Sequence, residues 1–189
     1  MDPMSQATNP HTQRSVAGMV GSMIVIVVLV VAWMGFRSLT SDDTVIHEPP
    51  PDWAAWVKAG RVDGALRIYA PDALPAGWTA RASTYQGGDE PLWHLALLTD
   101  KNRFVGVEES RESVRDMVAR VVDKNADQGD DVTVLGTSWQ TWTDSGGDYA
   151  LTQRIRINAD RSETVMVVGT APVAEILAFA ETLKTGTTK

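Results

Sequence analysis

The chain of 189 residues contains no cysteine and only three histidines. The first absence excludes disulfides, zinc–thiolate sites, thiol catalysis and a lipidated cysteine. The second leaves His47 and His94 as the only imidazoles beyond residue 37, too few for three-ligand zinc without distant carboxylates. Basic charge is also scarce. Removing Arg14, Arg37 and Asp2 from the 17 basic and 24 acidic residues leaves 15 and 23 after residue 37, a net charge of −8. Such a domain repels phosphate backbones and anionic headgroups, so nucleic-acid binding and a polybasic membrane patch are not expected. Gly-rich phosphate loops are missing, since Gly87-Gly88 and Gly146-Gly147 read as isolated turns.

Residues 15–36, by contrast, form a run of 22 residues without one charge. At about 1.5 Å per helical residue such a run covers the roughly 30 Å hydrocarbon core of a bilayer. Its apolar core exceeds the ~7–15 residues of a cleavable signal, and no Ala-x-Ala-like site follows Trp33-Met34-Gly35-Phe36. The expected organisation is a cytoplasmic tail over 1–14, a transmembrane helix over 15–37 in contact with the lipid bilayer, and a Pro-rich tether over 38–51. An extracytoplasmic domain over 52–185 and a disordered tail over 186–189 complete it. Arg14 and Arg37 balance each other, so orientation rests on architecture: a short leading tail stays inside and the long segment is exported across the plasma membrane. Ala17/Gly21 and Gly18/Ser22 stand four apart, and small residues at that spacing let helices approach closely. These four are the candidate helix-contact residues.

The exported portion reads as α+β, an antiparallel sheet covered by two amphipathic helices. Asp52 is placed to cap a short helix whose Trp53, Trp56 and Val57 share one face, docked on the domain or resting at the membrane interface. Gly60 and Gly64 bracket its end. Strands are expected over Leu66–Tyr69, Trp78–Tyr85, Leu92–Thr99 and Arg103–Glu109, with Asp100-Lys101-Asn102 as a hairpin turn. Ser110 is positioned to cap a helix over 111–124, in which Val114, Met117, Val118, Val121 and Val122 make one apolar stripe. Strands over Val132–Leu135, Ser138–Thr143 and Tyr149–Asn158 follow. Thr164–Gly169 is apolar throughout, as a central strand would be. The last helix, 171–184, opens at Thr170 and Pro172 and buries Val173, Ile176, Leu177, Ala180 and Leu183. Hairpin 92–109 with helix 111–124 parallels hairpin 149–169 with helix 171–184, as a duplicated strand–strand–helix unit would.

Thr143-Asp144-Ser145-Gly146-Gly147 is similar to the nucleophile loop of trypsin-like serine proteases, and His94, Asp100 or Asp116, and Ser145 follow that triad's order. That chemistry needs a His to deprotonate the Ser and an Asp to orient it. It also needs two β-barrels, more chain than is present, and Asp-Ser-Gly-Gly-Asp is ordinary hairpin material. No catalytic, cofactor or metal residues are assigned, and no cofactor is expected. Trp93, His94, Trp139 and Trp142 remain as candidate ligand or partner contacts. Trp139 and Trp142, three apart in a strand, face opposite sides, so at most one belongs to the core.

Leu74-Pro75-Ala76-Gly77-Trp78, Trp93-His94-Leu95, Gly106-Val107-Glu108-Glu109-Ser110, Val134-Leu135-Gly136-Thr137-Ser138-Trp139 and Val167-Val168-Gly169-Thr170-Ala171 complete the pattern. Together with the N-terminal span, they make the chain resemble the actinobacterial family called domain of unknown function 4245. The resemblance implies a single-span envelope protein of an actinobacterium and no assigned activity. The expected function is that of a non-enzymatic bitopic protein whose exported domain binds or regulates another envelope component, with an envelope or membrane protein as partner. The alternative is an extracytoplasmic module for a small molecule, lipid or glycan.

Overall fold

The computed structural model describes residues 51–186, which lie within one unit, Pro49–Lys189. The expected span, tail and most of the tether, with Ala17, Gly18, Gly21 and Ser22, fall outside the described residues. Among the described residues no helix is long and apolar enough to cross a membrane.

Helix α1 (Trp53–Asp63) starts where expected: Asp52 accepts from the Ala55 N–H at 3.1 Å. It ends at Gly64, whose φ of 71° is the left-handed conformation that stops helices. Gly60 is inside the helix rather than at its end. A Cβ there would lie 2.7 Å from Ile68 Cδ1, so its absence sets how closely the helix approaches the segment that follows. Val57 is buried and Trp53 partly buried, whereas Trp56 is 42 % exposed, so the expected three-residue face docks only in part.

The strands are β1 (Ala70–Pro71), β2 (Thr79–Gln86), β3 (Leu92–Leu98), β4 (Phe104–Ser110), β5 (Asp127–Gln128) and β6 (Val132–Val134). They continue as β7 (Thr137–Thr143), β8 (Tyr149–Arg156), β9 (Ser162–Gly169) and β10 (Leu183–Lys184). Helices α2 (Val114–Val121) and α3 (Val173–Ala180) complete the fold. The main sheet is antiparallel in the order β2-β3-β4-β9-β8-β7-β5, with β6 also on β7, while β1 pairs β10 separately. The apolar β9 is central, as its composition requires.

Side chains alternate between two faces. On the core face Trp93, Leu95, Leu97, Val105, Val107, Leu151, Val165 and Val167 meet α1 residue Val57 and α3 residues Ile176, Phe179 and Ala180. On the outer face Ala150, Met166 and Val168 meet Met117 and Val118 of α2. The strand order is that of two three-strand units joined at β4–β9, but the helices that follow them lie on opposite faces. Among the described residues there are three helices, the short one after Asp52 and the two expected amphipathic ones, and only α2 covers the outer face.

Several expectations are corrected. Leu66–Tyr69 is not a strand: its Arg67 and Tyr69 N–H groups donate to the Glu109 carboxylate at 3.1 and 2.9 Å, in place of a neighbouring strand. Ile68 between them has a φ of +57°, unusual for a β-branched residue. The cap of α2 is Ser113, which accepts from the Asp116 N–H at 3.2 Å, because Ser110 still belongs to β4. Helix α3 is shorter than expected, Val173 is 43 % exposed, and Leu183 is buried from a strand.

Candidate functional site

On the outer face α2 covers β8 and β9, β4 is buried from Val105 to Ser110, and only β2 is exposed, with the outer residues of β3 half-buried. The register aligns three small residues across these strands, Ala82 beside Ala96 and Ala96 beside Gly106. Ala82 is exposed and Ala96 half-buried. The row makes a shallow trough. Half-buried Leu98 and Phe104 close one end, the Phe104 ring lying over Gly106, with Cζ 2.8 Å from where a Cβ would stand.

The next row carries the charges. Thr84 pairs with His94, and His94 with Glu108. Nδ1 of His94 contacts Glu108 Oε1. Nη1 of Arg120, on α2, stands 3.8 Å from Glu108 Oε2, an oxygen that is buried and has no hydrogen bond. Arg120 in turn donates to Glu112 from Nε at 3.1 Å and Nη2 at 2.7 Å. A line of alternating charge thus runs His94–Glu108–Arg120–Glu112 across the seam between sheet and helix. The bond to Glu108 holds the His94 pKa above its ordinary value, against the opposing effect of burial. Glu112 likewise stabilises the Arg120 cation. Past this line a groove of about 520 Å³ opens, lined by Gln86, Leu92, Ser110, Arg111, Glu112 and Arg120 among others.

The expected contact residues are distributed unequally. Trp93 is fully buried and donates Nε1–H to the Tyr69 carbonyl at 2.9 Å. Trp139 is 4 % exposed in the same core. Trp142 lies on the outer face, half-buried against the cluster under α2, and donates to Thr152 Oγ1 at 2.9 Å. His94 shares that face, but four strand spacings separate β3 from β7, about 19 Å at ~4.8 Å each. The four residues therefore make no common site. His94 is the one beside the open trough.

The triad-like set is not assembled. His94 is committed to Glu108, Asp116 receives the Ser113 hydroxyl at 2.7 Å, and Ser145 sits in the β7–β8 turn. No hydroxyl of the described residues is hydrogen-bonded to the imidazole. The line of charge fixes an electrostatic pattern at the seam. Glu108 was legible in the sequence, because a hairpin turning at Asp100-Lys101-Asn102 places residue 108 opposite 94. Arg120 was not, since its approach depends on how α2 lies on the sheet.

A second group of charges lies on the core side. Glu109 and Glu163 are both fully buried. Burial, with the neighbouring Glu163, pushes Glu109 up to about 7 although two backbone N–H groups favour its anion. Glu163 Oε1 accepts from Arg161 Nε at 2.9 Å and Nη2 at 2.5 Å.

A family model described as "Protein of unknown function (DUF4245)" matches residues 11–183, nearly the whole chain, and the chain belongs to that family. No curated protein matches it. Among solved structures, it is similar to the crystal structure of MucB in complex with MucA(peri), with 15 % identity and a TM-score of 0.37 over 65 % of this chain and 39 % of that one. The complex structure of Pseudomonas aeruginosa MucA/MucB gives 16 % identity and a TM-score of 0.36 over 65 % of this chain and 37 % of the other. The chain thus spans about two fifths of the chains it matches.

Proposed function

We propose, with membership of DUF4245 as the premise, that this is a bitopic plasma-membrane protein of an actinobacterial envelope. Its N-terminus is cytoplasmic, and its exported domain binds or regulates another envelope protein without catalysing a reaction. The observation that carries this reading is the uncovered edge of the outer face, at β2 and β3. A trough of small and apolar side chains, Ala82, Ala96, Gly106, Leu98 and Phe104, lies beside the fixed charges of His94, Glu108 and Arg120. An apolar centre with a charged rim is the anatomy of a protein interface. The uncharged run at 15–36 supports the membrane anchor.

A small molecule, lipid or glycan is the alternative occupant. The groove at Leu92 and Arg120 is where such a ligand would sit. The trough lies outside that groove, and its apolar centre with a charged rim favours a protein partner.

The test is an affinity pull-down of the full-length protein from gently solubilised native membranes, with two variants beside it. One replaces residues 15–37 by an unrelated span; the other is Ala96→Arg, which fills the trough from a half-buried position. A stoichiometric partner kept on the span swap and lost with Ala96→Arg is expected. A partner lost with the span and kept with Ala96→Arg would place recognition at Ala17, Gly18, Gly21 and Ser22 instead. Finding no partner would sink the reading.

A further inference from the structure

We propose that the pocket between the end of α1, the segment 64–67 and the β8–β9 turn binds a phosphate-type oxyanion. The pocket holds about 220 Å³ and is lined by Arg61, Arg67 and Arg161 with Gly64, Leu66 and Ile157; no carboxylate lines it. Three arginines line one pocket here in a domain that is otherwise acidic.

Two of the three are held in place. Arg61 Nη2 donates to the Lys184 carbonyl at 2.9 Å and the Ile68 carbonyl at 3.3 Å. Arg161 is fixed by Glu163 and by the Gly64 carbonyl at 3.3 Å. Fixing the forks before binding removes much of the ordering cost of binding. Arg61 Nε is buried and has no hydrogen-bond partner, a condition folded proteins rarely leave unmet. Neither Arg61 nor Arg67 has a carboxylate within 4 Å among the described residues; Arg161 has Glu163. Against three cations the facing acids are Glu163 and, behind the Arg67 backbone, Glu109. The balance is positive even with both ionised.

The shape of the charge selects the ligand. A carboxylate offers two oxygens, which one guanidinium fork saturates, as Arg161 does with Glu163, whereas a phosphate presents three or four oxygens to the remaining donors of arginines on separate elements. The volume equals about seven waters at ~30 Å³ each, enough for the five heavy atoms of phosphate and the start of an ester.

The full-length protein is titrated with inorganic phosphate, with sodium chloride at matched ionic strength as control, following heat release and thermal unfolding. Saturable binding over the chloride control is expected. Arg67→Gln, at an exposed position, should weaken it at least tenfold. Arg61→Lys, which keeps the charge but loses the fork, should weaken it as well. Arg115→Gln, exposed on α2, should not. Dihexanoyl phosphatidic acid below its micelle concentration identifies the source: tighter binding than phosphate assigns a lipid headgroup, equal or weaker binding a free phosphate. No saturable effect beyond chloride, or equal affinity in wild type, Arg67→Gln and Arg61→Lys, overturns the proposal. The outer-face pull-down is unaffected by either result.

Discussion

Replacing Glu109 by Gln tests how the non-regular segment 64–69 is held to the sheet. The wild-type carboxylate is fully buried, accepts two backbone N–H groups, and titrates at about 7 instead of its usual 4.5. A carboxyl whose folded pKa is raised contributes stability that is complete below the unfolded value and lost as pH rises through the folded one. At about 1.4 kcal/mol per tenfold change in proton affinity, the wild-type domain should lose about 3 kcal/mol between pH 4 and pH 8. His94, also raised, acts in the same direction near neutrality. The Gln amide has one oxygen for the two N–H groups, so one buried donor faces an NH2. That costs about 1–3 kcal/mol. Urea unfolding followed by tryptophan fluorescence reads the difference, since Trp93 is bonded to Tyr69 beside the site. At pH 5 the variant should be less stable by about 1–3 kcal/mol; by pH 8 the gap should close or reverse. Parallel wild-type and variant curves across this range, or a wild type that gains stability from pH 5 to 8, would refute the reasoning.

Gly169→Ala should cost about 3 kcal/mol or more in chemical denaturation, because its Cβ would stand 2.3 Å from the Phe104 carbonyl oxygen of the adjacent β4. Trp93→Ala should cost about 3–5 kcal/mol by the same measurement, from the cavity and the unmet Tyr69 carbonyl. Trp93→Phe should cost less. Ser113→Ala should remove about 1 kcal/mol and speed amide exchange in the first turn of α2, whose N–H at Asp116 it now satisfies. An unchanged exchange rate there would return the cap to another residue.

The order of the three helices and of the longer strands within residues 52–185 was readable from the chain, because alternation and helical periodicity are local. Strands β2 to β4 and β7 to β9 lie within a residue or two of their expected ends, and the turn at Asp100-Lys101-Asn102 fixes a register that puts Glu108 opposite His94. Trp139 and Trp142 could be assigned to opposite faces from spacing alone, and they lie there.

Partners distant in sequence decided the rest. Leu66–Tyr69 has the composition of a strand, yet the Glu109 carboxylate, some 40 residues on, takes the N–H groups a neighbouring strand would need. Leu183 fits a helical stripe, yet Ala70–Pro71 captures it as strand β10. No periodicity says that α2 goes to the outer face and α3 to the core face. That depends on which apolar surface each helix can bury once the sheet exists, and it decides that the trough beside His94 stays open. Likewise, Arg61, Arg67 and Arg161 are separated in the chain by up to 100 residues, and only the fold, in which Arg161 reaches the Gly64 carbonyl just after α1, makes them line one pocket. Local chemistry determined the parts; the competition for distant hydrogen-bond partners and buried area determined the surfaces they expose.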